Sequence, residues 1–300
     1  MNTAVANKPH RDTIFVEQAK ILLHDHYDGD QHIMQVHAPK IAEHARAGSF
    51  AHIQCDPMLP MRRPISIMRV NAKQGMVEFL YKAFGYGTGL LAKRQVGDTL
   101  DLFGPIGKTF TYHDSHPRPL LIGGGVGMPP MIYIADELRS NKHFQPFMIL
   151  GSEVPFPFTL TPSEFVVPGI PDGVIASMPL MEDWNIPCRL ASTQSYQGCH
   201  DGYVTDLARH WLDALDDEQR KQVEIFSCGP HIMLEAVAKL AKDYDLPCQV
   251  SLEEFMACAV GGCAGCVVEV QTDDGPAMQR VCVDGPVFDA HKVFTTAEKM

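Results

Sequence analysis

The chain has 300 residues, 36 of them acidic against 25 basic, for a formal net charge of -11. That length exceeds an ordinary single domain, so two or three domains are expected. The acidic balance argues against a general affinity for nucleic acid or for anionic membrane.

The first twelve residues, MNTAVANKPHRD, carry no apolar segment, and no run of about eighteen apolar residues occurs anywhere, so neither a leader nor a membrane span is expected. From Thr13 to about Tyr112 the sequence reads as short strand-like runs separated by turn residues: TIFVEQAKILLH, HIMQVHAP, SFAHIQC, ISIMRV, MVEFLYKAF and DTLDLFGP. Runs at this spacing predict a small antiparallel β-barrel. Two stretches inside it carry more than strand logic. Arg62-Arg63-Pro64-Ile65-Ser66 places guanidinium and hydroxyl groups together, as a phosphate or a flavin edge requires. Gly85-Tyr86-Gly87-Thr88 lets backbone amides approach a pyrophosphate, although either stretch alone also reads as an ordinary turn. Gly104-Pro105-Ile106-Gly107 reads as the structural turn that closes the barrel.

At Pro119 the pattern changes. LLIGGGVGMPPMIYIADELRS reads as strand, glycine loop and helix, with two prolines in the helix's first turn where a missing N–H does no harm. Glycines 123, 124, 125 and 127 do not fit G-x-G-x-x-G, because Met128 stands at the last glycine, so the ordinary dinucleotide fingerprint is absent. PFMILGSEV reads as a second strand, and Val204-Thr205-Asp206-Leu207 opens a helix with Thr205 as its N-cap. VEIFSCGPHIMLEAVAKLAKDYD reads as strand, turn and amphipathic helix. Alternating strands and helices predict a parallel sheet with ligands at the carboxyl ends of its strands, where Cys228 falls; its plain alternative is a buried thiol ending a strand. The proline-rich stretch from about 155 to 189 reads as an insertion loop.

Nine cysteines suit a reducing cytoplasm. Cys55, Cys188, Cys199, Cys228 and Cys248 read mostly as small buried hydrophobes. Cys258, Cys263, Cys266 and Cys282 are spaced C-x4-C-x2-C with a fourth cysteine after fifteen more residues, the plant-type spacing for a 2Fe-2S cluster. Gly261, Gly262 and Gly265 allow the loop to turn tightly and aim N–H groups at the cluster's sulfides. A structural zinc site is the alternative, although such sites more often come as two C-x2-C knuckles.

Taken in order, R-P-x-S, G-x-G-T, G-G-G-x-G-x-x-P, C-G-P-x-x-M and the four-cysteine loop resemble the ferredoxin reductase superfamily, and within it the dihydroorotate dehydrogenase electron-transfer subunits. The likeness runs from about residue 13 to 292 and is densest in SLEEFMACAVGGCAGCVVEV and RVCVDGPVFDA. The resemblance implies a multi-domain chain: an FAD-binding β-barrel over 12–114, an NAD-binding α/β unit over 115–247 and a small 2Fe-2S unit over 248–293. It implies Arg63, Pro64, Ile65 and Ser66 on the flavin with Tyr81 and Lys82 beside it, Gly87 and Thr88 on its pyrophosphate, and Gly123, Gly124, Gly125 and Gly127 facing the phosphates of NAD(H). Cys228 would lie near the reacting rings as a catalytic residue, and the four spaced cysteines would bind the cluster. Three features depart from the family pattern: Ala47-Gly48-Ser49-Phe50 where P-G-Q-F is usual, the proline-rich insertion, and His291 after the final motif.

Nicotinamides exchange two electrons as hydride and an iron-sulfur centre takes one, so a flavin has to stand between them. No stretch is left for a substrate-oxidising domain of roughly 250 residues such as a TIM barrel, so the organic substrate is expected on a partner chain. In the family that partner is the catalytic dihydroorotate dehydrogenase. Glu153, with no Arg or Lys in SEVPFPF, favours NAD over NADP. A subunit of a glutamate synthase-like or hydrogenase-type complex, a stand-alone flavin reductase and a zinc-stapled scaffold are the competing readings.

Overall fold

A computed structural model describes residues 13–295, so the N-terminal stretch read above for a leader lies outside the described residues. The first part is a closed antiparallel barrel. Its elements are β1 (Phe15–Tyr27), β2 (Gln31–His37), α1 (Pro39–His44), β3 (Phe50–Gln54), β4 (Arg63–Asn71), β5 (Met76–Lys82), α2 (Gly85–Leu91) and β6 (Thr99–Ile106). The strands close in the order β1-β2-β5-β4-β3-β6, so the barrel leaves no unpaired edge. All six expected runs are strands. Gly104-Pro105-Ile106 corrects the expectation of a closing turn: it is the end of β6, with Gly104 opposite Phe15 and Ile106 opposite Phe50. Alternation explains the interior, where Ala19, Ile21, Met34, Val36, Ile53, Phe79 and Leu102 are buried.

The remainder is built round a seven-stranded sheet. Its elements begin β7 (Arg118–Gly124), α3 (Met128–Leu138), β8 (Phe147–Gly151), β9 (Thr161–Pro162), β10 (Ala176–Ser177), α4 (Pro179–Asp183), β11 (Cys188–Ser192) and β12 (His200–Asp201). They continue with α5 (Val204–Ala214), α6 (Asp217–Arg220), β13 (Val223–Cys228), α7 (His231–Asp243), β14 (Cys248–Ser251), β15 (Val267–Thr272), β16 (Gly275–Arg280), β17 (Val287–Asp289) and α8 (Ala290–Val293). The sheet order is β12-β11-β8-β7-β13-β14-β17, parallel except for the last strand. Every residue of β13 is buried, as expected of a central parallel strand covered on both faces.

Two local expectations are corrected. Helix α5 is capped by Tyr203, not Thr205: Tyr203 is extended, and the Asp206 carboxylate in the first turn accepts its backbone N–H at 3.1 Å. The proline-rich stretch is more than a loop, for it holds the β9/β10 pair and α4, and it runs into β11 at Cys188. It also ties the two halves together. Gln31 on the barrel donates to the Pro155 carbonyl at 2.7 Å, and the guanidinium groups of Arg69 on β4 and Arg139 after α3 both lie over the Trp184 ring, at 6.0 and 4.9 Å. Tyr133 of α3 donates to the Ala45 carbonyl at 2.9 Å, which seats the sheet half on the barrel.

The segment carrying the spaced cysteines leaves the sheet at β14 and returns to it at β17. Ser251 pairs with Val287, so both ends of the excursion are anchored side by side. The β15/β16 hairpin stands on it.

Candidate functional site

A cavity of about 680 Å³ opens between the barrel and the excursion. One wall is Arg63, Pro64, Ile65 and Ser66 of β4 with Tyr81 and Lys82 of β5, and the facing wall is the strap Ser251–Met256 that leads out of β14. Thus the six barrel residues expected at a flavin stand together on one surface. The two arginines of the motif divide their work. Arg62 is held by Asp101 at 2.6 Å, while Arg63 bonds the Met61 and Arg62 carbonyls among the described residues and turns its guanidinium toward α2. A Cβ at Gly87 would come within 2.7 Å of Arg63 Nε, so glycine there is what lets the guanidinium lie against the helix start. The Thr88 hydroxyl is spent on the helix itself, donating to the Phe84 carbonyl at 2.6 Å and accepting the Phe84 N–H at 2.8 Å. The backbone amides of the first turn of α2, which no helix carbonyl can satisfy, are therefore the groups this corner offers to a phosphate.

Tyr81 is buried and its ring stacks on His32 at 5.1 Å. Its hydroxyl donates to His24 Nε2 at 2.7 Å, the ring proton of His24 being placed on Nδ1 by the Arg94 carbonyl at 2.8 Å. Burial, which disfavours the phenolate, raises the Tyr81 hydroxyl well above its ordinary range.

In the glycine turn after β7 the glycines serve two purposes. A Cβ at Gly127 would meet the Cys228 carbonyl oxygen at 2.3 Å, and one at Gly124 would meet Met233 Sδ at 2.4 Å, so these two allow the turn to pack on the β13–α7 junction. Gly125 has φ +54° with open space round it, and Val126 beside it lines the large cavity. Gly123 pairs with Cys228 across the sheet. Cys228 itself is fully buried and lines neither this cavity nor the smaller one of about 470 Å³ beyond it, which Gly229 and Pro230 border. Burial pushes its thiol well above the ordinary range, helped by the charge of Glu253.

The four spaced cysteines converge as two contacting pairs. The Cys258 and Cys263 thiols touch, the Cys266 and Cys282 thiols touch, and the Cys282 group feels the charge of Cys258. Among the described residues no three His, Cys, Asp or Glu side chains are grouped as one metal ion would need. Backbone N–H groups point at the sulfurs: those of Val260, Cys263 and Gly262 at Cys258, that of Gly261 at Cys282, and that of Gly265 at Cys263 Sγ, 3.4 Å away. The first set, led by Val260, holds the Cys258 thiol down at about 7, whereas burial before all else pushes Cys282 up to about 12. Two thiolate pairs ringed by N–H donors fit a two-iron, two-sulfide unit with two terminal thiolates on each iron.

The loop reaches this shape differently from the sequence expectation. Gly261 is left-handed at φ +77°, but the other left-handed positions are Ala259 and Ala264, while Gly262 and Gly265 keep ordinary backbone angles.

Sequence reasoning missed two residues. Glu253 lines both cavities at the point where the strap leaves the sheet. Its side chain reaches solvent, yet the recess desolvates it enough to raise the carboxyl above the usual range. It stood inside a quoted motif, and only its position directly after a strand end could have singled it out. His52 on β3, opposite Pro64, is buried, with the Met256 and Arg62 backbones beside its ring and no geometrically formed hydrogen bond at Nε2 among the described residues. Burial first, then the neighbouring Arg62 charge, pushes its imidazole down to about 4. Of the remaining cysteines, Cys55, Cys188 and Cys248 are buried as expected, and Cys199 is half-buried.

Residues 253–294 match the iron-sulfur cluster binding domain of dihydroorotate dehydrogenase B. The chain is 30% identical over 282 residues to a Desulforamulus reducens protein named dihydroorotate dehydrogenase B (NAD(+)), electron transfer subunit, covering 93% of this chain and 98% of that one. A Listeria monocytogenes protein of the same name is 35% identical over 239 residues, covering 78% and 82%. Among solved structures, an NADH-dependent reduced ferredoxin-NADP oxidoreductase described for flavin-based electron bifurcation superposes with a TM-score of 0.75 at 23% identity, over 92% of this chain and 90% of that one. The ferredoxin reductase of carbazole 1,9a-dioxygenase gives 0.59 at 22% identity, over 78% and 67%. At such identities the likeness establishes the fold.

Proposed function

Because the chain belongs to the family of dihydroorotate dehydrogenase B electron transfer subunits, we propose that it passes electrons between NAD(H) and a separate dihydroorotate-handling subunit by way of FAD and a 2Fe-2S cluster. It is thus an oxidoreductase subunit with a place in pyrimidine biosynthesis. Bound flavin supplies the exchange between a two-electron hydride donor and a one-electron carrier.

One observation carries this reading: the wall of the large cavity and the cluster loop are the same piece of chain. Met256 lines the cavity, and Cys258 follows two residues later, a span of at most about 7 Å. A group that fills the cavity from Arg63–Ser66 to Met256 therefore comes within two residues of the first of the spaced cysteines.

In this assignment the barrel, 12–114, orients the flavin. Arg63 with the first amides of α2 takes its phosphates, and Ser66, Tyr81 and Lys82 bound its rings. The unit 115–247 receives NAD(H) at the turn holding Gly123, Gly124, Gly125 and Gly127, with Gly125 the position left open. Cys228 closes the floor behind that turn and keeps its proton, while Glu253 and Glu254 are carboxylates that line both cavities at the junction. Cys258, Cys263, Cys266 and Cys282, in the unit 248–293, hold the cluster. The strand end at Gly151 is followed by Ser152, which bonds Val154, and Glu153, so this turn itself brings no cation to a 2′-phosphate. NADH should reduce the protein faster than NADPH; equal single-turnover rates would remove that inference. The free state of the nine cysteines supports a cytoplasmic location, and among the described residues no helix is long and apolar enough to cross a membrane.

The test is purification from the native cell extract. A dihydroorotate-oxidising chain should co-purify and gain NAD-linked activity from this one. A chain that runs alone and reduces only soluble ferredoxins or oxygenases would overturn the assignment.

A further inference from the structure

The side chain that joins the cluster loop to the strand before its last cysteine is Arg280, at the end of β16. Its Nη1 donates to the Gly261 carbonyl at 3.1 Å, and Gly261 is the residue whose N–H points at the Cys282 sulfur. Its Nε and Nη2 donate to the Asp284 carboxylate at 3.0 and 3.3 Å, and that carboxylate also accepts the Arg280 backbone N–H at 2.9 Å. The pair brackets Cys282 in sequence, and Val281 between them donates its N–H to the Cys266 carbonyl at 2.8 Å. Gly261 has no room for a side chain, since a Cβ would meet Val283 at 2.9 Å and Arg280 Nη1 at 3.1 Å. The guanidinium thus has a fixed seat between the Gly261 carbonyl of the cluster loop and the Asp284 carboxylate.

We propose that Arg280 and Asp284 set the reduction potential of the cluster with opposite signs, Arg280 favouring the reduced state and Asp284 opposing it. The inference rests on the cluster assignment above. Adding an electron makes the cluster more negative, so a cation held beside its thiolates stabilises the reduced form, and the carboxylate that partly cancels that cation works against it. Both side chains are partly open to solvent, 41% and 31% exposed, which screens the effect without abolishing it.

The experiment is an EPR-monitored redox titration of the purified holoprotein, with iron and sulfide content measured on the same samples. Arg280→Gln should lower the reduced-to-oxidised ratio at a fixed potential by about three- to ten-fold, a ten-fold change being about 59 mV for one electron. Asp284→Asn should raise it, and Arg280→Lys, which keeps the charge but loses the fork, should stay near the wild type. With iron retained, a null or same-direction effect of Arg280→Gln and Asp284→Asn would overturn the proposal, as would a shift in Arg280→Lys equal to that in Arg280→Gln. Should Arg280→Gln shed its iron, an unmoved Asp284→Asn would still overturn it and a raised potential would uphold it. Iron-free wild-type protein would instead overturn the cluster assignment.

Discussion

The cluster loop and the glycine turn after β7 are both glycine-rich and both face a place where a cofactor is expected, yet they are built on different logic. In the loop the decisive residues are reactive ones at fixed spacing, and the backbone bends to serve them, using left-handed alanines at 259 and 264 as readily as the glycine at 261. In the turn, three of the four glycines answer to the protein's own packing, Gly127 against Cys228, Gly124 against Met233 and Gly123 against Leu150 and Met128. A motif whose chemistry dictates residue identity is readable at sight. A glycine is not, because close packing and close approach to a ligand call for the same residue.

That contrast can be broken from either side. The largest effect is expected from Cys282→Ser: the protein should lose most of its iron and brown colour while NADH still bleaches the flavin. Unchanged iron content would mean that the fourth ligand lies elsewhere. Next comes Gly127→Ala, whose new methyl would press on a backbone carbonyl that cannot swing aside; it should cost about 3 kcal/mol by denaturant unfolding, with no change in iron per folded molecule. A fully stable variant would mean that the turn does not pack as described.

A smaller effect concerns acid. In the unfolded chain His32 and His52 take up a proton near 6.5, but in the fold burial delays this to about 4. Between those values the unfolded state binds more protons, so stability should decline as pH falls from about 6.5 to 4 and level off below. His52→Gln should flatten that decline by on the order of 2 kcal/mol, and an unaltered slope would show that His52 is protonated in the native protein. Smallest is Gly124→Ala, about 1 kcal/mol, because the atom in the way is the flexible end of Met233; a loss as large as that of Gly127→Ala would erase the distinction between the two glycines.

The barrel was legible because each of its six strands alternates or carries a compact apolar run bounded by turn residues. The convergence of the four spaced cysteines was legible through their spacing. What stayed hidden depends on partners distant in sequence. Strands β12 and β17 have two and three residues, too few for any period to show, and exist because β11 and β14 offer them edges. Trp184 gains its role only when Arg69 and Arg139 arrive over its ring. Thr88 lines the large cavity, but the turn of its hydroxyl onto the nearer backbone of Phe84 could not be read from the motif.

The claim on which the rest depends is that a hydride donor empties into a one-electron carrier within this single chain. Anaerobic protein holding both FAD and iron, mixed with NADH alone and frozen for EPR, tests it most directly. The account predicts a reduced-cluster signal that grows with flavin bleaching and is absent from protein stripped of flavin. Flavin that bleaches fully while an iron-replete protein stays EPR-silent would contradict it.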